Sequence, residues 1–413
     1  MKRRWIAIAL LPLLIVPGCS SLRYYAQATS GQVSMLWAAR PVDAWIGDAA
    51  TPEDLRKRLA NLRQIRDFAS TELALPDNAS YRKYANLGRP FAVWNLVATP
   101  EFSTRPREWC FPFAGCVSYK GWFSEAPAQA AAEDVRREGY DVVVYGVPAY
   151  STLGWFDDPA LNTFIRYPRP ELARLVFHEL AHQVVYAPGD SAFNESFATA
   201  VELAGVRRWL DRHGTSAERA EFDTLQRRKA GFLALIAATK QRLDALYETD
   251  VPAPEMRRLK AEAFVDLRDR YESLKREWGG FAGYDRWFAQ PLSNAHLASL
   301  ATYHEWVPAF ETLLRDRGDD LRALYREAKR LKALDAAARR DELERIGAAK
   351  AAADRSVDGC PATSCRNAVA RVASSPNRSG APSVTSRRRT SAGGISPIPT
   401  NPMVHAGTPR SGG

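Results

Sequence analysis

Two histidines separated by three residues constrain this chain most, because a helix through them brings both rings to one face. Residues 175–186 read Leu-Val-Phe-His-Glu-Leu-Ala-His-Gln-Val-Val-Tyr. In a helix, positions i and i+4 lie one turn apart, so His178 and His182 are spaced to chelate one Zn²⁺ ion. Glu179 would then lie beside the open coordination position, where its carboxylate can accept a proton from water. The spacing predicts a helix that carries a catalytic metal site.

A third protein ligand is required, and Glu195 is the predicted one. The first helix should stop in a Pro-Gly turn, and Asp190 or Ser191 can cap the next helix, which places Glu195 in its first turns. Two helices joined by so short a loop are expected to be neighbours, which returns Glu195 to the histidines. Glu202, seven residues further on, is near the same face and is expected to support the ligands. In the alternative, Glu202 is the ligand and Glu195 a surface charge.

The first residues predict export and a lipid anchor. Lys2, Arg3 and Arg4 precede an apolar run over residues 5–17. This run is shorter than the roughly 20 apolar residues that a transmembrane helix needs. The run ends in Val-Pro-Gly-Cys19, which resembles the bacterial lipobox, so residues 1–18 would be a signal peptide and Cys19 the lipidated residue. Ser20 favours the outer membrane, with the body facing the periplasm. An ordinary secretory signal with an incidental cysteine is the alternative.

Cys110 and Cys116 bracket a turn-rich loop, Phe-Pro-Phe-Ala-Gly. An exported chain meets an oxidising environment, in which cysteines pair as disulfides. Zinc binding is the competing interpretation, but no other Cys or His stands near enough in the sequence to complete a tetrahedral set. We therefore predict a disulfide between these two residues.

Hydrophobic patterning predicts an α+β fold, in which a small mixed sheet lies upstream of the His178–His182 helix and a mainly helical portion follows. Strands are predicted at residues 91–98 and 140–147, with a hairpin around the two cysteines. An Ala-rich helix is expected over 127–138, opened by Pro127. Another helix should start at residues 51–54, with Thr51 as its N-cap and proline at its first position.

The region after the metal helix is predicted to contain a long antiparallel helical hairpin. A capping box at residues 215–218 opens a helix that runs to about residue 247. Apolar residues at helical spacing over 259–278 mark the second arm, and two or three shorter helices should follow to about residue 350. Packing against the body is the expected use of the apolar positions, and a partner-binding coiled coil is the alternative.

From about residue 356 the composition changes to Ser, Pro, Gly, Thr and Arg with few large apolar residues. Such a segment cannot bury enough surface to offset its chain entropy, so disorder is predicted. The tail supplies most of the net charge of +10, which argues against a nucleic-acid-binding body. The predicted divisions are a signal peptide at 1–18, an α+β portion at 19–165, a helical metallopeptidase-like portion at 166–350 and a tail at 351–413.

The metal-site residues resemble a known class of enzymes. His178-Glu-Leu-Ala-His182 followed by Asn194-Glu195-Ser-Phe-Ala is similar to the gluzincin metallopeptidases. The run over residues 139–158 resembles a bacterial family of zinc aminopeptidases that are often lipoproteins, and the similarity extends over roughly residues 19–345. The resemblance implies a zincin-type helix, a Zn²⁺ cofactor on His178, His182 and Glu195, a peptide substrate and Glu179 as the general base.

The resemblance also nominates an oxyanion donor. Other gluzincins take a Tyr or His for this role from a downstream helix, which makes Tyr303 and His304 the candidates here. Thr199, rather than an acid, stands four residues after Glu195, so the acidic residue that those enzymes carry at this point has no counterpart. The aromatic segment at residues 150–156 is expected either to line the substrate cleft or to pack in the core.

Two other functions remain open from the sequence. The chain could be a non-catalytic envelope lipoprotein that binds a partner through its helical hairpin, with a vestigial or structural metal. It could also be a metal hydrolase that cleaves cell-wall cross-links instead of protein.

Overall fold

The computed structural model describes residues 18–111, 115–301 and 305–358. Outside these ranges lie residues 1–17 of the predicted signal peptide (1–18), the part of the predicted tail after residue 358, and the two oxyanion-donor candidates Tyr303 and His304. In chain order the N-terminal elements are α1 (Gly18–Trp37), β1 (Arg40–Pro41), α2 (Val42–Gly47), α3 (Glu53–Thr71), β2 (Lys83–Ala85), β3 (Val93–Pro100), β4 (Trp109–Phe111), β5 (Gly115–Val117), β6 (Lys120–Trp122), α4 (Glu125–Arg137), β7 (Tyr140–Val147) and β8 (Ala160–Leu161).

The described residues after this point form helices. They are α5 (Arg169–Val184), α6 (Ser191–His213), α7 (Ser216–Tyr247), α8 (Ala253–Glu277), α9 (Asp285–Phe288), α10 (Asn294–Ala301), α11 (Val307–Asp316), α12 (Leu321–Ala333) and α13 (Ala336–Asp358). The predicted α+β class is therefore confirmed. The expectation of two or three short helices after the hairpin was too low, because the described residues of that stretch form the five helices α9–α13. No described helix combines the length and the apolarity needed to cross a membrane.

The sheets are small, as predicted. One has the strand order β6-β3-β7, and β3 pairs antiparallel with β7 from Val93 opposite Val147 to Pro100 opposite Tyr140. The predicted strand at 140–147 is confirmed at both ends, because its β-branched run has Gly139 in a left-handed turn before it and Pro148 after it. A second sheet has the order β1-β2-β8 and includes both antiparallel and parallel pairing, and β4 and β5 form a third, two-stranded sheet.

Two predicted helix starts differ from the structure. Helix α3 begins at Glu53, and the Thr51 hydroxyl forms no hydrogen bond in the described part of the chain, so it is not the predicted cap. Helix α4 begins at Glu125, which leaves Pro127 inside the first turn. Proline is tolerated there because the first backbone N–H groups of a helix have no intrahelical partner. The capping box of Thr215 and Glu218 at the start of α7 is confirmed.

The long hairpin of α7 and α8 is also confirmed, and its apolar residues form a second core together with α9 and α10. Phe232 and Leu243 from α7 and Leu267 and Tyr271 from α8 are buried together. The Tyr271 ring stacks on Phe288 of α9, with centroids 3.9 Å apart. The apolar positions of the hairpin are therefore largely used within the molecule.

The predicted disulfide is present. Cys110 and Cys116 face each other in the antiparallel pair β4-β5 and are covalently joined. Replacing both by serine should lower the free energy of unfolding by roughly 2 kcal/mol, because the unfolded chain regains the entropy of an open loop. Denaturant unfolding with and without reductant measures this. Reductant should destabilise the wild-type chain and leave the double variant unaffected; equal stability of the two oxidised proteins would contradict the prediction.

Candidate metal centre

Helix α5 holds its metal-motif face in the interior. The main core contains the apolar residues of this helix, Leu172, Leu175, Val176 and Leu180. On the adjoining face, His178 keeps a small exposed fraction of its side chain, 14%, while Glu179 and His182 are buried. The two imidazole rings lie one turn apart, with centroids separated by 4.7 Å. Helix packing therefore places the Nε2 atoms of His178 and His182 side by side, and the His178 ring is the one that partly reaches solvent.

A tightly bonded loop joins α5 to α6 and aims Glu195 at the histidines. The Asp190 side chain accepts a hydrogen bond from the backbone N–H of Phe193, which confirms it as the cap of α6. Asn194 accepts from the N–H of Ala187 at 2.7 Å and donates to its carbonyl at 2.8 Å. Glu195, the next residue, is only 5% exposed, so the alternative in which it is a surface charge is wrong.

The three side chains converge on one point. His178 Nε2 lies 3.1 Å from His182 Nε2 and 3.2 Å from Glu195 Oε2, and His182 Nε2 lies 3.6 Å from Glu195 Oε1. Ligands of a tetrahedral zinc ion with bonds of 2.0–2.1 Å are separated by about 3.4 Å from one another. The donor set of two imidazoles and a carboxylate, and its spacing, both fit such an ion. His178, Glu179 and His182 also form a group that could hold a metal, with one ligand atom of each within 4.8 Å of the others.

The tautomer of His178 supports the same interpretation. Its Nδ1 lies 2.8 Å from Glu202 Oε2, and a carboxylate only accepts, so Nδ1 must carry the hydrogen. The lone pair of a neutral ring then sits on Nε2, directly against the Glu195 carboxylate, and this contact is repulsive unless a proton or a metal cation lies between them. Burial lowers the pKa of His178, but Glu202 and Glu195 outweigh that effect and raise it to about 10.

Glu179 differs from Glu195 in its surroundings. Its side chain is 0% exposed, and neither of its oxygens has a hydrogen-bond partner among the residues that the structure describes. Its Oε1 lies 3.9 Å from His178 Nε2, which is further than the Glu195 contact. Burial and the charge of Glu195 raise the pKa of Glu179 to about 8, although His178 acts in the opposite direction. An uncompensated buried carboxylate is costly, so this position favours a nearby cation.

A buried arginine, which the sequence analysis missed, is linked through Glu202 to the Nδ1 side of His178, away from Glu195. Arg174 Nη1 donates to both oxygens of Glu202, at 3.0 and 3.1 Å, and its Nε donates to Glu171 at 2.8 Å. Burial alone would raise the pKa of Glu202, but Arg174 and His178 lower it to about 2. The connected chain Glu171–Arg174–Glu202–His178 thus fixes the ring that faces Glu195. The available signal was the position of Arg174, four residues before His178 on the same helix face.

Replacing Arg174 by leucine should reduce the free energy of unfolding by about 3–5 kcal/mol, because the buried Glu202 carboxylate loses the guanidinium that hydrogen-bonds both of its oxygens. Arg174→Lys should recover part of the loss. Urea unfolding monitored by circular dichroism measures both. Arg258 is the matched control, since it also bridges two glutamates, Glu255 and Glu262, but on the surface. Arg258→Leu should have a far smaller effect. Equal losses for the two leucine variants would contradict a special role for the buried bridge.

The aromatic segment that follows β7 is partly buried and partly exposed. Tyr150 is buried and packs edge-on against Phe123, with centroids 5.2 Å apart, so it belongs to the core. Trp155 and Phe156 are exposed, at 56% and 44%. Their loop lies along α5, because the backbone at Gly154 is so close to Gln183 that an added Cβ would stand 3.3 Å from that side chain. Tyr150 therefore has the core-packing role, and Trp155 and Phe156 are exposed to solvent.

The fold and this site describe an α+β protein with a candidate metal centre between two helices. Residues 23–343, most of the chain, match the family model described as "Putative aminopeptidase". The chain belongs to this family, whose name assigns it to the peptidases. No curated protein matches the sequence significantly. No solved structure matches it either.

Proposed function

We propose that this protein is a zinc-dependent peptidase of the aminopeptidase type, with His178, His182 and Glu195 as the zinc ligands. The observation that carries the proposal is the separation of 3.1–3.6 Å among the three donor groups. The family name supports an aminopeptidase. Glu202 is assigned to support and not to ligation, because it contacts the far nitrogen of His178.

Zinc held in such a site lowers the pKa of water and polarises a substrate carbonyl. Glu179 is the group of this chain that moves protons in the proposal. Its carboxylate takes a proton from water as the oxygen attacks the carbonyl carbon, and then delivers that proton to the leaving amine nitrogen. Its burial excludes bulk water from the carboxylate. Glu179 is left outside the proposed ligand set because its Oε1 lies 3.9 Å from His178 Nε2, further than the 3.2 Å of Glu195 Oε2. Glu202 and Arg174 hold His178 in the tautomer that directs Nε2 toward the ligand position.

The proposal is tested by measuring metal content and hydrolysis on the same preparation. The full chain should contain about one zinc per molecule, should hydrolyse a peptide with a free amino terminus, and should lose activity on chelation and regain it with added Zn²⁺. An N-acetylated peptide of the same sequence is the matched substrate, and an aminopeptidase should leave it uncut. Cleavage of both peptides would replace the aminopeptidase type by an endopeptidase. Hydrolysis that persists in the metal-free protein would contradict the zinc mechanism.

The same assay addresses the other two functions. A cell-wall hydrolase would release fragments from purified cell wall and leave the free peptide intact. A non-catalytic binding protein would cut neither. The non-catalytic binding protein has little structural support, since most apolar residues of the hairpin are packed in the core that it shares with α9 and α10.

We further propose that the protein is an envelope lipoprotein attached through Cys19, in the outer membrane and facing the periplasm. The support is the short apolar run that ends at Gly18-Cys19. Cys19→Ala should release the protein from membranes and abolish acyl labelling, and unchanged labelling would contradict the assignment.

A further inference from the structure

Helix α1 contains the proposed lipidation position as its second residue and is attached to the body along one face. The Tyr24 ring packs edge-on against Trp122 of β6, with centroids 5.8 Å apart. Gln27 accepts a hydrogen bond from the backbone N–H of Phe123 at 3.2 Å. At Gly31 an added Cβ would stand 2.2 Å from the Phe123 ring, so only glycine permits this approach. Met35 is buried in the main core. The helix is therefore part of the body and not a loose tether.

The opposite face of α1 points away from the body. With 3.6 residues per turn, one line along the helix surface passes within about 40° of positions 19, 26, 30, 33 and 37. We call this line the outer stripe. Ala26, Ser30, Val33 and Trp37 are exposed on it, and Trp37 is the most exposed large apolar residue of the described chain, at 86%. Position 19 is eighteen residues before Trp37, or five full turns, so the proposed acylation point and this tryptophan lie on the same line.

The chemistry of the outer stripe is unusual for an exposed surface of this protein. A quarter of the whole chain is charged, whereas Arg23 is the one charged residue within α1. From residue 24 onward, where the side chains of α1 are described, the exposed positions carry small, hydroxyl and apolar side chains. Tryptophan concentrates where hydrocarbon meets headgroups, and small uncharged side chains can approach that boundary without a charge-desolvation cost. A single arginine is compatible with anionic headgroups.

We propose that the outer stripe of α1 lies along the surface of the bilayer into which Cys19 is acylated. The acyl chains must enter the membrane at position 19, and α1 continues from there as a rigid helix fixed to the body. If α1 lies in the membrane plane, the whole line from position 19 to Trp37, about 27 Å long, meets the interface. The second contact at Trp37 would then set the orientation of the body on the membrane. This inference rests on acylation at Cys19 and is independent of the proposed peptidase activity.

Site-directed spin labelling of the full-length acylated protein tests the contact. The background is Cys360→Ser with Cys365→Ser, which leaves Cys110 and Cys116 in their disulfide. One label is introduced by Trp37→Cys, and the matched control by Trp155→Cys, which is also an exposed tryptophan. Each protein is studied in phosphatidylethanolamine–phosphatidylglycerol vesicles, and again as the unacylated Cys19→Ala form in solution.

On vesicles, the label at position 37 should show a several-fold loss of collisions with a water-soluble nickel complex and a gain with oxygen. The label at position 155 should not change, and both should be equally accessible in solution. Equal nickel accessibility of the two labels on vesicles would overturn the proposal. So would shielding of position 37 in solution, which would mean that the tail or a second copy covers it. Absence of acyl labelling would also overturn it, whereas a loss of peptide hydrolysis would bear only on the proposed function.

Discussion

Glu179→Gln is expected to abolish most of the peptidase activity while leaving zinc bound. Without a carboxylate, residue 179 cannot take the proton from water, and loss of a general base typically costs about 10²–10⁴-fold in rate. Glutamine has nearly the same volume, so it should fit the fully buried position without disturbing α5. The decrease should appear in kcat, because the substituted group acts on the proton and not on the bound peptide.

Three measurements on one preparation check this result: zinc per molecule, the steady-state rate with a free-amine peptide, and the unfolding midpoint. Glu255→Gln, on the exposed surface of α8, is the matched control and should resemble the wild type in all three. If Glu179→Gln strips the metal, Glu179 is a ligand and the assignment of roles at the centre is wrong. If the variant keeps its rate, the proton is taken by another group.

Glu195→Gln is expected to give the opposite pattern, with loss of zinc as the primary defect. The carboxylate lies against both Nε2 atoms, and a neutral amide is a much poorer ligand for a dication. Zinc affinity should fall, and excess metal should restore part of the activity. His178→Ala and His182→Ala should also lose zinc, since two protein ligands make an incomplete site. Equilibrium dialysis against a zinc buffer measures the affinity, and activity is followed across the same metal concentrations.

Glu202→Gln separates ligation from support at the same centre. Glu202 hydrogen-bonds the far nitrogen of His178, and supporting groups of this kind typically contribute about 10–100-fold in metal affinity. Its effect on zinc affinity should therefore be smaller than that of Glu195→Gln. If Glu202→Gln strips zinc while Glu195→Gln keeps it, the third ligand has been misassigned. If His178, Glu179, His182 and Glu195 can all be replaced without loss of hydrolysis, the metallopeptidase proposal fails.

Much of the centre could be predicted from local sequence patterns. The i, i+4 spacing brings His178 and His182 to one face of any helix that contains them. The loop that joins α5 to α6 is short, and Asp190 caps α6, so α6 must begin close to α5. Glu195 could therefore be predicted as a ligand from the sequence. Strand β7 and the disulfide were predictable for the same reason, because a β-branched run and a six-residue separation between cysteines act within a single stretch of chain.

Other features depend on which surfaces meet, and only the tertiary structure decided them. Arg174 has two carboxylate partners, and one of them, Glu202, is 28 residues away on α6, so no periodicity in α5 could assign that pair. The burial of Glu179 follows from the packing around α5, and the division of the 150–156 segment into buried Tyr150 and exposed Trp155 follows from contact with Phe123 and α5. Hydrophobic spacing specifies where a helix or strand forms and which face is apolar. Which buried charge pairs with which is decided only when those faces pack, because the free energy of a buried charge depends on groups that are distant in the sequence.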